Sequence, residues 1–100
     1  MAIGDSFGDG RKTVTTGGTA EKLASATKAT YVCITAETDN TGIICVGSST
    51  VVASLSTRQG IPLSLGDSVG LPCVDLSDIW LDTTVNGDGV TFTYVNDVRG

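Results

Sequence analysis

The chain has no histidine among its 100 residues. A serine hydroxyl therefore has no imidazole to take its proton, and no lysine stands in an obvious Ser/Lys pattern, which removes the usual routes to a nucleophilic hydrolase. Charge is scarce as well, at 17%. Six Lys and Arg against eleven Asp and Glu leave a net charge of −5 with no basic stripe, so neither nucleic acid nor an anionic membrane surface is an expected partner. There is no long amphipathic helical period, no GxxxxGK[ST] phosphate loop, no zinc-ligand spacing, no Pro-rich linker and no internal repeat. The expectation is a protein without catalytic residues, cofactor or metal.

Several local patterns have a chemical reading that their surroundings do not support. Gly4-Asp5-Ser6 with Gly8-Asp9-Gly10 has the look of a GDSL-type nucleophile block, but the base is missing and 100 residues are too few for that α/β scaffold. The second Gly-Asp-Ser, Gly66 to Ser68, lies between two strand-like runs and reads as a turn. Asp39-Asn40-Thr41-Gly42 and Asn86-Gly87-Asp88-Gly89 are rich in oxygen ligands. Neither carries the alternating acidic pattern ending in a bidentate Glu that makes a strong calcium loop, and turn chemistry accounts for both. Asp75 and Asp78, three apart in a short connection, are expected to cap backbone donors rather than share a proton. Cys33, Cys45 and Cys73 sit in apolar runs without CxxC spacing and read as reduced thiols acting as small hydrophobes; a Cys33 to Cys45 disulfide between neighbouring strands is the alternative. The start, Met-Ala-Ile-Gly-Asp, has no basic n-region or apolar h-region, so a secretory signal is not expected and folding in a reducing cytoplasm is.

What the chain does have is short β-branched runs separated by Gly, Asp and Asn. Strands are expected at Thr13 to Thr16, Glu21 to Ser25, Thr30 to Ala36, Ile43 to Gly47, around Val51 to Ala53, Ser68 to Cys73, Ile79 to Val85 and Val90 to Val95. Seven or eight strands at that spacing predict an all-β antiparallel sandwich or jelly roll. Residues 1–12 are expected as a flexible Gly-rich arm and residues 13–100 as one domain. Val32, Ile34 and Ala36 share one face. Ile43 to Gly47 is apolar on both faces and reads as a central strand. Ile79, Leu81, Val90, Phe92 and Tyr94 are expected to face the core. From Gly60 to Val95 the pattern predicts a meander that ends in a hairpin of Ile79 to Val85 with Val90 to Val95, joined by a type I′ turn at Asn86-Gly87 or a four-residue loop.

On that parity Trp80 points away from the Ile79/Leu81 face and must be covered by a loop, a second layer or another subunit. The interface candidates are Trp80, Ile3 and Phe7 of the arm, and Arg58 and Arg99 at the rim, together with the polar face of Thr30 to Thr35.

Two groups of residues carry a resemblance. Gly60-Ile61-Pro62-Leu63, Gly66-Asp67-Ser68-Val69, Asp75 to Asp82 and Gly89 to Tyr94, with Tyr31 to Thr35 and Asp39 to Gly47 upstream, resemble small structural proteins of tailed bacteriophages. The likeness spans about residues 30 to 95. It implies a virion protein that decorates or cements the capsid head, assembled in the host cytoplasm, with the major capsid protein or another virion protein as partner. It identifies no functional residues. A homo-oligomer, a trimer being one form, is the matching expectation. The alternatives are a receptor- or glycan-binding fibre or tail module, or a head-tail connector component. Binding on a glycan array that Trp80→Ala abolishes without unfolding the protein is what would favour the receptor module.

Overall fold

A computed structural model describes residues 6–96. Within them eight strands run in chain order: β1 (Ser6–Thr13), β2 (Glu21–Lys22), β3 (Tyr31–Ala36), β4 (Ile44–Gly47), β5 (Ile61–Leu63), β6 (Ser68–Pro72), β7 (Trp80–Thr83) and β8 (Gly89–Asn96). They form a front sheet, ordered β1-β8-β3-β6, and a back sheet, ordered β2-β7-β4-β5. Every pairing is antiparallel. β1 pairs with β8, β2 with β7, β3 with β6 and β4 with β5, as though one long hairpin had been rolled up. The protein is an antiparallel sandwich with jelly-roll strand order.

Alternation fills the space between the sheets. Val32, Ile34, Ala36, Val90 and Phe92 from the front sheet meet Ile44, Val46, Leu63 and Leu81 from the back, with Val14, Leu23 and Leu76 closing the ends. Ile79, Leu81, Val90 and Phe92 are buried as expected, while Tyr94 is half-buried against the same core. β4 is an interior strand, with Ile44 and Val46 turned to the core and Cys45 to a second apolar cluster behind it.

The expected meander does not form. From β5 to β8 the chain changes sheet at each step, and β7 and β8 are not partners: Leu81 stands beside Glu21 and Val46, and Phe92 beside Gly10 and Ile34. Inward parity is satisfied equally by two strands of one hairpin and by two strands that face the core from opposite sheets, so alternation could not separate these topologies. The Asn-Gly bend is present, with Gly87 at φ +92°, but it bridges the sheets. It is anchored to the β1–β2 connection, because Gly87 N–H donates to Val14 O (2.9 Å) and Asn86 Oδ1 accepts from Gly17 N–H (2.7 Å).

Three further boundaries differ. Ser6–Thr13 is an eight-residue strand along β8, so Ser6 to Lys12 belong to the sandwich instead of an arm; Met1 to Asp5 lie outside the described residues. Gly8 and Gly10 make that strand possible: a Cβ on Gly10 would sit 2.5 Å from the Phe92 ring, and one on Gly8 2.5 Å from Tyr94. The rings of β8 lie across the glycines of β1, filling the space that side chains would otherwise take. Ile61–Leu63 is a strand despite Pro62, which an edge strand tolerates. Val51 to Ala53 is part of a long β4–β5 connection, tied by a Val52–Gln59 bridge and a 3₁₀ turn at Leu55–Thr57.

Candidate functional site

The two outer faces of the sandwich differ. Behind the back sheet, the β4–β5 connection folds down as a roof, placing Val51 and Ala53 on Cys45, with Ala20, Ile43 and Trp80 packed around them. Asp82, 2% exposed, fastens that roof. Its Oδ2 accepts from Ala53 N–H (2.8 Å) and its Oδ1 from Gly18 N–H (2.8 Å), so one carboxylate holds two loops onto the sheet. Arg58 Nε donates to Ala53 O (2.9 Å) and closes the roof on itself. Trp80 is half-buried beneath these loops, with the Lys22 ammonium 5.7 Å from its ring.

Among the described residues no loop folds over the outer face of the front sheet. That face presents Asp9 and Arg11 from β1, Thr91 and Thr93 from β8, Cys33 and Thr35 from β3, and Ser68 and Gly70 from β6. The residues are mostly small and leave an open hollow between Asp9, Arg11, Cys33, Thr35, Thr91 and Thr93, and the Thr35 and Ser68 hydroxyls bond across the sheet at 2.7 Å. Two aromatics stand at one end, Phe7 (72% exposed) and Tyr31 (47%), the latter lying across Gly70. At the other end the Arg11 guanidinium grips Glu37 through Nε and Nη2, at 2.5 and 2.9 Å. That bond holds the Glu37 carboxyl below its ordinary value and raises Arg11.

The expected interface residues therefore do not converge. Phe7 is on the open front face, Trp80 and Arg58 are on the roofed back, and Ile3 and Arg99 fall outside the described residues. Of the expected polar face of Thr30 to Thr35, the alternate residues Tyr31, Cys33 and Thr35 lie on the open surface. Asp9 and Arg11 were missed because they stood in the supposed arm, although their alternation with Gly8 and Gly10 is a strand signal in its own right.

The two oxygen-rich loops meet at one end of the sandwich and lock each other. Asn40 Nδ2 donates to Gly89 O (3.0 Å) and its Oδ1 accepts from Gly89 N–H (2.9 Å), while Asp88 accepts from the amides of Thr41 and Gly42. Asp75 Oδ1 accepts from the amides of Ser77 and Thr27 and from the Ser77 hydroxyl, the expected cap, and these bonds lower its pKa, the Ser77 amide contributing most. The three cysteines are free. Cys33 and Cys45 lie on opposite outer faces of the sandwich, which rules out a bond between them in this fold. Cys45 is buried, and burial pushes its thiol up; Cys33 and Cys73 are half-buried. Among the described residues no three His, Cys, Asp or Glu side chains converge as metal ligands. Compared with protein-family models, with curated proteins and with solved structures, the chain matches none.

Proposed function

We propose that the protein is a structural virion protein of a tailed bacteriophage that decorates or cements the capsid head, through contacts among its own copies and with the major capsid protein or another virion protein. Its work is contact rather than catalysis. The observation that carries this reading is the inequality of the two outer faces. One face is sealed by a loop stapled through a buried carboxylate; the other, among the described residues, is left open, with a hollow lined mostly by small side chains and edged by exposed Phe7 and Tyr31. An open sheet face of small residues lets another surface approach closely, and exposed aromatics at its margin supply apolar area for docking. The resemblance of residues 30 to 95 to small structural phage proteins points the same way.

Sedimentation and native mass spectrometry with purified heads test the reading. The expected result is self-association and co-sedimentation with heads, weakened when Tyr31 and Phe7 are replaced by Ser. A strictly monomeric protein that never travels with heads overturns it.

A further inference from the structure

We propose that β1 is a pairing edge for a second copy of this chain: two copies join β1 to β1, antiparallel, about a twofold axis at Gly10, with Asp9 of each opposite Arg11 of the other.

The sandwich has four edge strands, β1 and β6 in front and β2 and β5 behind. Hydrogen-bond alternation shows which groups each edge turns outward. Glu37 N–H donates to Gly89 O, so the odd residues of β8 bond β3 and its even residues bond β1; Val14 N–H to Asp88 O continues the latter ladder. The even residues of β1 are thus engaged, and Phe7, Asp9, Arg11 and Thr13 turn their N–H and C=O groups away from the sheet. The same reasoning on β6 starts from Ala36 N–H to Asp67 O and turns Ser68, Gly70 and Pro72 outward; on β5, Thr84 N–H to Ile43 O turns Pro62 outward. Both prolines therefore stand where an incoming strand would need a donor, and they blunt those two edges. β2 is only two residues long. β1, with eight residues and no proline, is the long edge left unprotected among the described residues.

Charge selects the occupant and the register. In a symmetric antiparallel pair the outward odd residues must face odd residues. An axis at Asp9 sets Asp9 against its own copy, and an axis at Arg11 sets Arg11 against its own copy; like charges directly opposite are unfavourable. An axis at Gly10 pairs Asp9 with Arg11 twice and lays Phe7 across Thr13 of the second copy, covering a ring that is 72% exposed in one chain. Glu37 occupies Nε and Nη2 of Arg11, which fixes the guanidinium and leaves Nη1 for the carboxylate of the second copy. The product is one continuous eight-stranded front sheet.

This pairing rests on the self-association in the proposed function and not on its capsid part. The test uses Asp9→Lys and Arg11→Glu in analytical ultracentrifugation, with thermal melts to confirm folding. Wild type is expected to dimerise; each variant alone self-associates about tenfold more weakly or worse, because both cross-strand pairs become like-charged. An equimolar mixture recovers the dimer, since the lysine introduced in one variant then faces the glutamate introduced in the other, and the unchanged Arg11 faces the unchanged Asp9. Asp9 has no side-chain bond within the subunit among those found in the described residues, so Asp9→Lys alone decides the matter if Arg11→Glu does not fold. A monomeric wild type, an undiminished dimer in Asp9→Lys, or a mixture of folded variants that stays monomeric overturns the proposal. A monomer that still travels with heads overturns this pairing alone, whereas a β1-paired dimer that ignores heads overturns the capsid reading alone.

Discussion

Gly10 and Phe92 face each other across β1 and β8, and their contact sets two physical rules against one another. Replacing glycine by alanine in a strand interior normally gains about 0.5–1 kcal/mol through reduced backbone freedom. Here the new methyl would sit 2.5 Å from a ring that is 7% exposed and packed in the core. Overpacking of that kind costs about 1–3 kcal/mol, so Gly10→Ala is expected to lower stability in chemical denaturation; a stabilised variant would show that Phe92 has room to move. Asp82 gives the second test at this scale. Asp82→Ala leaves the amides of Gly18 and Ala53 without acceptors, at a cost of about 2–4 kcal/mol, or roughly 10–25 °C in Tm for a domain of this size. Because the roof then loosens over Trp80, its fluorescence should shift to the red as well. An unchanged Tm with unchanged emission contradicts the staple.

Among the elements, loops are fixed by ionised side chains, and this sets the response to acid. Glu37 is held below its ordinary value of 4.5 by the Arg11 guanidinium. Burial opposes ionisation of Glu21, but Lys12 at 2.9 Å and the amides of Thr16 and Thr15 outweigh it, so Glu21 is lowered too. Asp75 is lowered from 3.8 by the amides it caps. Groups whose folded pKa is depressed contribute stability that is fully present above their unfolded values and is lost as pH falls through the folded ones. With no histidine in the chain, Tm should stay level from neutrality down to about pH 5 and fall below about pH 4. A Tm that rises on acidification would mean that relief of the net −5 charge outweighs these local bonds. The roof element itself was hidden in the sequence: Val51 to Ala53 has a strand's composition, and the buried Asp82 that fastens it to the sheet accepts from Ala53 N–H with no local signature of that role.

Over the whole molecule, face parity was legible and partnership was not. Val32, Ile34, Ala36, Ile79, Leu81, Val90 and Phe92 alternate as half-buried strands must, and they are the core. The same alternation fits a hairpin and a sheet-to-sheet crossing, so β7 and β8 were paired on sequence grounds when they lie in opposite sheets. Glycines misled for a related reason. In β1 they make room for the aromatic rings of a strand at the far end of the chain, a long-range fact that local composition registers only as flexibility. Of the expected interface residues, Phe7 lies on the open face and Trp80 beneath the roof, because whether an outward side chain is covered depends on where a distant loop folds.

The docking of this jelly roll on a phage head is our proposal. It is tested most directly by electron cryomicroscopy of particles made from the genome that encodes the chain. The expected result is density for this sandwich on the outer surface of the head shell, with its roofed face turned away from the contact and its open front face engaged. Particles in which mass spectrometry finds no copy of the chain, and whose head surface carries no such density, contradict it.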